Sequence, residues 1–400
     1  MGRQNLDLII QDLSDFIFRS DWIILRLRYR NSGDIAMDIT LRHLAEMKKR
    51  LFTHPSLQMV FLELTRKCNL NCAHCGSSCP SKPTLAVLRT DTIARTTAAI
   101  AANADPGQTM FCLTGGEPLL NPEWETIAKM ISSYGFHWGM TSNGTMIDEN
   151  VVERLFQAGM KTISISIDGM AVSHEHLRGV DGCYRKSLNA IRLLVNSRFF
   201  QSIQVTTVVH PTNLNELEEL YNLLTSLGIN SWKLTPVEPV GEARKHSEHY
   251  LTPEGHIQLL NFILEHREIA PFEITYGCSH FLPLKYDNTV RSAHFNCGAG
   301  TLIASITCEG DIIACLDVDD RARTKQGNIY QDDFWDVWQN RFKMFRRERE
   351  LVQMPCCSCE YTAFCQGDSW HTWDFMNNSP GVCLFHDLNV YINNKRECAI

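Results

Sequence analysis

Cys68, Cys72 and Cys75 share one short stretch, Thr65-Arg66-Lys67-Cys68-Asn69-Leu70-Asn71-Cys72-Ala73-His74-Cys75. The spacing Cys-x3-Cys-x2-Cys puts three thiolates on a single loop. Three thiolates can hold three irons of a four-iron cluster and leave the fourth without a protein ligand. A structural cluster is normally closed by four cysteines, so three suit chemistry at the open corner. The competing uses of such a loop are a zinc knuckle or redox thiols. A second group follows far downstream: Cys297, Gly310 and Cys315, then Cys356-x2-Cys359-x5-Cys365, then Cys383.

These residues sit in a chain of 400 with 44% hydrophobic and 21% charged residues, the balance of an ordinary globular protein with two or three domains. No segment has the apolar length needed to cross a bilayer. The N-terminus, Met1-Gly2-Arg3-Gln4-Asn5, lacks the basic-then-apolar shape of a secretory signal. The expected location is therefore cytoplasmic. There, 16 cysteines are better used on metal than in disulfides. A net charge of -7 and a pI near 6.1 argue against a nucleic-acid surface.

The elements that must position the cysteines read as follows. Residues 1–55 form an N-terminal extension, with helices expected at 6–18 and 37–51 and a strand at 22–27. From Leu57 strands and helices alternate. Strands are expected at 59–64, 111–113, 136–140, 162–167, 205–209 and 232–234. Asn121 is expected to cap a helix with Pro122 in its first turn and Gly135 at its end. Further helices are expected at 148–158, 184–197, 213–227 and 252–267. Such alternation predicts a parallel sheet with right-handed crossovers. Six units are too few for a closed barrel and fit an open, partial one, with its site at the strand C-termini. Beyond about Tyr276 cysteines become frequent and the alternation ends. The expected division is thus 1–55 extension, 56–270 α/β partial (β/α)6 barrel, and 271–400 cysteine-rich module.

The cysteine loop resembles the signature of the radical S-adenosylmethionine (SAM) enzymes, and later segments agree with it. Gly115-Gly116-Glu117-Pro118 follows the second strand and resembles the family's GGEP motif, which receives the SAM amino group; paired glycines let backbone approach a ligand closely. Thr141-Ser142-Asn143-Gly144-Thr145 follows the third strand and Ser164-Ile165-Ser166-Ile167-Asp168-Gly169 the fourth. The resemblance implies that Asn143, Ser166 and Asp168 neighbour SAM. His174-Glu175-His176-Leu177-Arg178-Gly179 resembles the stretch whose arginine meets the SAM carboxylate, which makes Arg178 the candidate. His174 and His176 read as surface or supporting groups.

The downstream cysteines resemble the SPASM domain, which usually holds two auxiliary four-iron clusters. The resemblance implies that Cys356, Cys359, Cys365 and Cys383 complete the outer cluster, and that Cys297 and Cys315 serve the inner one, with Cys278 as an upstream third ligand. One cysteine of the pattern is replaced by Ser369. The inner cluster then has an open iron, takes oxygen from Asp368, Ser369 or Asp317, or is absent; one or two auxiliary [4Fe-4S] clusters are expected. Asp317 is also a candidate general base. Cys398, near the C-terminus, is a candidate hydrogen-atom donor.

Enzymes of this type mostly act on peptides or proteins. The leading expectation is maturation of a ribosomally made peptide, by abstracting a hydrogen atom and installing a crosslink or related change. The alternatives are sulfatase-maturase oxidation of a protein Cys or Ser, a small-molecule dehydrogenase or decarboxylase, and an iron–sulfur carrier. Expected partners are a flavodoxin- or ferredoxin-type reductant and, because the extension is short for a whole leader-binding domain, a separate leader-binding protein. Iron and sulfide counts after anaerobic reconstitution test the inner cluster: about twelve irons per chain keep it, and about eight remove it.

Overall fold

The computed structural model describes residues 34–79, 84, 86–277 and 280–397; the elements expected at 6–18 and 22–27, together with Cys278 and Cys398, lie outside the described residues. Helix α1 (Asp34–Thr53) opens the described chain. Strands and helices then alternate: β1 (Met59–Glu63), α2 (Thr90–Ala101), β2 (Met110–Thr114), α3 (Trp124–Ser133), β3 (His137–Ser142), α4 (Glu149–Gln157) and β4 (Thr162–Ser166). Next come α5 (Ala171–Arg178), α6 (Cys183–Ser197), β5 (Ser202–Val209), α7 (Leu217–Leu227), β6 (Ser231–Pro236), α8 (Pro253–Arg267) and β7 (Glu273–Tyr276). Apart from single helical turns, the remainder holds β8 (Ile303–Ile306), β9 (Asp311–Ile313), β10 (Gly327–Asn328), α9 (Phe334–Asn340), the pair β11 (Trp373–Asp374) and β12 (Ser379–Pro380), and α10 (Leu384–Glu397).

The ten-stranded sheet runs β10-β9-β8-β1-β2-β3-β4-β5-β6-β7. Neighbours from β1 to β7 are all parallel, and the sheet stays open. Two features differ from the sequence expectation. A seventh parallel strand, β7, pairs with β6; its four residues, Glu273-Ile274-Thr275-Tyr276, are too few to show a period. The cysteine-rich segment also adds to the same sheet, because β8 runs parallel to β1 in the register Met59↔Ile303 to Leu62↔Ile306. Helix α2 also had no expectation; its Thr- and Ala-rich run carries little apolar periodicity.

Alternation sets what each strand buries. Val60, Leu62, Phe111, Leu113, Trp138, Ile163, Ile165, Val205, Trp232 and Leu234 turn one way and are almost wholly buried under the helices. Their neighbours on the other face, including Cys112, Ser164, Gln204, Thr206 and Lys233, are half-buried. The helices start on side-chain caps where the sequence supplies them. Asp148 accepts from Val151 N at 2.8 Å, and Thr252 accepts from Gly255 N at 3.2 Å ahead of α8 with Pro253 in its first turn. Asn121 does not cap α3, which begins at Trp124. Its buried amide instead donates to Leu64 O and Leu88 O, both at 2.9 Å, and ties β1 to the chain entering α2. Leu64 O accepts from Leu88 N at 3.0 Å as well, and Asn121 Oδ1 accepts from Glu123 N at 2.8 Å just ahead of the helix, so every polar atom of the side chain is used.

A buried ion pair fastens the C-terminal module to β1. Glu63 is fully buried and receives both Arg321 Nη1 and Nη2 at 3.0 Å, with Cys308 N at 3.2 Å. Burial opposes its charge, but Arg321 and Arg66 outweigh it and hold the carboxyl below its usual value. Removing one partner of such a pair strands the other charge. Arg321→Ala is therefore expected to cost about 3–5 kcal/mol, read as a lower urea midpoint, with Glu63→Gln plus Arg321→Met recovering part of the loss.

Candidate active site

The cysteine loop starts where β1 ends, and the ends of β2, α5 and the segment after β6 clasp it. Leu64 N donates to Thr114 O at 2.8 Å, Gly116 N to Thr65 O at 2.7 Å and Glu117 N to Lys67 O at 2.8 Å. From the far side Asn71 N and Ala73 N donate to Arg178 O and Leu177 O, both at 3.0 Å. Glu242 N, beyond β6, donates to Cys75 O at 2.9 Å. These contacts leave no room for side chains. A Cβ on Gly116 would lie 2.2 Å from Lys67 O, and one on Gly241 would lie 2.2 Å from Cys75 O. The glycines of the GGEP turn therefore serve close approach to the cysteine loop's own backbone.

Glu117, fully buried, organises the next strand end. Its carboxylate accepts from Ser142 Oγ at 3.0 and 3.1 Å and from Asn143 N at 2.9 Å. Burial pushes the Glu117 carboxyl up to about 7, against those hydrogen bonds. Asn143 Nδ2 then reaches Asn69 Oδ1 at 2.9 Å and lies 3.9 Å from Cys68 Sγ. Ser166 ends β4 half-buried, and Asp168 follows it, fully buried.

Asp168 is the hub of the fourth strand end. Arg178 Nε and Nη2 reach its Oδ2 at 2.6 and 2.5 Å, and Val208 N donates to Oδ1 at 2.8 Å. Arg178 Nη1 also lies 3.7 Å from Cys72 Sγ. Burial opposes ionisation of Asp168, yet Arg178 and the nearby His74 and His174 outweigh it and hold the carboxyl below its usual value. Within the loop, burial pushes the Cys72 thiol up to about 12. A hydrogen bond involving the Cys79 thiol brings Cys75 down to about 7.

Sequence reasoning missed His74 and His210 and left His174 as a surface or supporting group. His74, His174 and His210 are buried around Asp168, and burial lowers them to about 3, 4 and 4, so all three are neutral near pH 7. His174 thus lies inside, as a supporting group, while His176 is exposed. His174 Nδ1 accepts from Asp168 N at 2.9 Å, which puts its proton on Nε2. That Nε2, His74 Nδ1 and both nitrogens of His210 meet no protein partner. Buried polar atoms of this kind cost about 1–3 kcal/mol each unless a ligand satisfies them. The mouth of the sheet thus fits a polar ligand beside three thiols. His210 directly follows β5 and His74 lies inside the cysteine loop, so strand-end position was the available signal. Asn213, also missed, pins β4 to β5 by donating to Asp168 O and Val208 O at 3.0 and 2.8 Å.

The C-terminal module faces the same mouth. Asp317 Oδ1 lies 3.3 Å from where a Gly76 Cβ would be. Asp319 accepts from Gly241 N at 3.1 Å and Arg244 Nε at 2.6 Å. Asp368 is taken up by His280, whose Nδ1 is 2.7 Å from Oδ2, and by Phe281 N at 3.1 Å. His280 Nε2 meets Glu238 at 2.8 Å. Burial disfavours its charge, but the two carboxylates raise His280 well above the usual histidine range. Cys297 and Cys365 share one cavity, and Cys356 and Cys383 lie within charge reach of its wall.

Residues 62–224 match the radical SAM superfamily, and residues 297–360 match the SPASM iron–sulfur cluster-binding domain. The chain is a radical SAM enzyme with a C-terminal SPASM domain. Its cofactors are SAM with a [4Fe-4S] cluster, and auxiliary iron–sulfur cluster in the SPASM domain. The enzyme is 27% identical over 349 residues to an AdoMet-dependent heme synthase of Methanosarcina barkeri, covering 82% of this chain and 96% of that protein. It is 26% identical over 313 residues to the mycofactocin maturase MftC of Mycobacterium tuberculosis, covering 76% of each. Native anSMEcpe with bound AdoMet shares the fold at TM-score 0.67 and 16% identity, over 84% of this chain and 95% of that one. SuiB of Streptococcus suis bound to S-adenosylmethionine does so at TM-score 0.67 and 15% identity, over 96% and 87%. No helix among the described residues is long and apolar enough to cross a membrane.

The clasp around the cysteine loop sets the expected outcome of a small change. Gly116→Ala drives a methyl into Lys67 O, costs about 1–3 kcal/mol of strain and displaces Cys68. Reconstituted enzyme is expected to lose one cluster's worth of iron, while Gly107→Ala, on an exposed turn, keeps its full content.

Proposed function

We propose that this enzyme matures a peptide, taking a hydrogen atom from a residue that lies across the open face of the sheet. The observation that carries the reading is the chemistry of that face. Ser164 Oγ and Thr206 Oγ1 are 2.8 Å apart, and Gln204 Nε2 donates to both at 3.1 Å. Thr141 and Lys233 continue the polar lining on β3 and β6. Hydroxyls and a side-chain amide match the N–H and C=O groups of a peptide backbone. A flat apolar ring system would leave their remaining donor and acceptor capacity unused. Similarity to the maturase MftC, and to SuiB bound to precursor peptide SuiA, is in keeping with this.

In this reading Cys68, Cys72 and Cys75 hold the SAM-binding cluster. Cys297, Cys315, Cys356, Cys359, Cys365 and Cys383 serve the auxiliary site. When bound, these groups supply a carbon-centred radical that removes hydrogen and a neighbouring centre able to take an electron. The chain's part is to bind, orient and move protons. Gly115 and Gly116 hold the cysteine loop, and Glu117 fixes the Ser142–Asn143 turn. Arg178 keeps Asp168 charged beside Cys72, and His74, His174 and His210 offer hydrogen bonds to a polar cofactor. Asp317, beside Gly76, is placed to accept a proton from substrate. A flavodoxin- or ferredoxin-type reductant and a separate leader-binding protein complete the set. The face of α1 is used up against the C-terminal module, where Lys48 Nζ donates to Phe364 O at 2.8 Å.

A second reading is oxidation of a small molecule such as a tetrapyrrole side chain, favoured by similarity to heme synthases over most of the chain. One experiment separates the two. Reduced enzyme with SAM is offered either a peptide encoded beside the gene or an iron porphyrin, and 5′-deoxyadenosine is measured with substrate mass. The peptide reading expects 5′-deoxyadenosine with loss of two hydrogens from the peptide for a crosslink, or no mass change for an epimer. Loss of carbon dioxide from the porphyrin with an untouched peptide overturns it in favour of the second. Intact clusters without any 5′-deoxyadenosine exclude both.

A further inference from the structure

Helix α1 presents Leu41, Leu44 and Ala45, all almost wholly buried, at the spacing of one face. They pack with Phe281, Phe295 and Phe364 in a small satellite core of the C-terminal module. The next position on that face is Lys48, where the pattern calls for another apolar residue. Lys48 is only 8% exposed. Its ammonium donates to Phe364 O, stands 3.9 Å from the Phe364 ring centroid and 5.1 Å from that of Phe295. Among the described residues no carboxylate lies within ion-pair distance of it. The nearby acid, Asp287, is engaged by Arg291 at 3.3 Å and His294 at 3.0 Å. A buried cation needs an anion, since burial without one costs several kcal/mol.

Lys48 lines one cavity together with Cys297 and Cys365. Arg349 lines it too, held over Trp370 at 3.8 Å and donating to Gly367 O at 3.1 Å. Arg347 and Asp368 line it as well, and Asp368 is taken up by His280 and Phe281 N. Two thiols among three cations and one engaged carboxylate suit a thiolate-bound, negatively charged cluster. Burial disfavours the Lys48 charge, and the Cys365 and Cys297 thiols with Asp287 favour it.

We propose that Lys48 of α1 is the positioning residue for charge at the outer auxiliary cluster, its buried ammonium favouring that cluster's reduced state and so raising its reduction potential. The inference rests on the assignment of Cys365 as a ligand of the outer cluster, with Cys297 of the inner site on the same wall. It gives the helix that precedes the sheet a role, since α1 closes the auxiliary site and delivers a cation to it. A positive charge in a low-dielectric wall stabilises whichever redox state carries more negative charge.

The test is an EPR-monitored redox titration of the reconstituted holoenzyme. Wild type is compared with Lys48→Met, which keeps the length and apolar stem, and with Lys48→Arg, which keeps the charge. The auxiliary midpoint is expected to move to more negative potential in Lys48→Met and to stay near wild type in Lys48→Arg. The SAM-binding cluster's midpoint, identified by its spectral change on adding SAM, is expected not to move. Loss of auxiliary iron from Lys48→Met but not from Lys48→Arg is the same effect in stronger form. An unshifted auxiliary midpoint at full iron content, an equal shift of both clusters, or iron loss from both variants overturns the proposal. Wild-type protein with iron for one cluster alone overturns the ligand assignment, and this inference with it.

Discussion

The cysteine loop can hold its shape only because backbone from elsewhere comes to within hydrogen-bond distance of it. Gly116 meets Lys67 O, and Gly241 meets Cys75 O, each at a point where a single methyl would collide. Backbone partners from three directions fasten the loop between them: Gly116 N and Glu242 N donate to it, and Arg178 O accepts from its Asn71 N. A loop of eleven residues with three reactive thiols has no core of its own. Its order is borrowed from the ends of β2, α5 and β6. The sheet is in this sense a frame whose strand ends converge on one loop.

The same convergence explains the buried charge. Asp168, Arg178 and Glu117 are each carried into a site from which water is excluded, at a cost that packing alone would not repay. Asp168 and Arg178 meet each other, Val208 N of β5 adds to Asp168, and Glu117 is met by Ser142 and Asn143 N at the end of β3. The network makes the strand ends mutually dependent. It also leaves the imidazoles of His74, His174 and His210 with nitrogens directed at no protein group. Order in the frame and readiness for a polar cofactor arise from one set of contacts.

The C-terminal module is attached by pairing and by charge. Strand β8 extends the sheet beside β1, and Glu63–Arg321 and Asp319–Arg244 lock it across the mouth. The auxiliary cysteines are thereby held in one body with the cysteine loop, and Asp317 comes to lie beside Gly76. A substrate on the polar face of β4 and β5 would meet groups from both domains. Helix α1 completes the arrangement from outside, since Lys48 is inserted into the wall shared by Cys297 and Cys365.

Local chemistry was legible in the sequence because it is written in short-range spacing. The Cys-x3-Cys-x2-Cys loop, the Gly-Gly-Glu-Pro turn and the strand–helix alternation each need only a few neighbouring residues to be read. So do the strands, whose apolar alternation is a local property. What the sequence could not state is which distant groups those residues would meet. Glu117 turns to Ser142 and Asn143, Arg178 to Asp168 and Cys72, and Asp368 to His280, across separations that no period records. The seventh strand was hidden for a related reason: four residues carry no period, and β7 exists because β6 offers it an edge. Asn121 looked like a helix cap; its Oδ1 accepts from Glu123 N just ahead of α3, and its amide N–H groups tie Leu64 to Leu88, which no local pattern records. Residue types and spacing determined the chemistry available to this protein. Tertiary structure decided which charges are neutralised, which polar atoms are left for a ligand, and which face of the sheet stays polar and half-buried, because burial and long-range pairing exist only once the chain has folded.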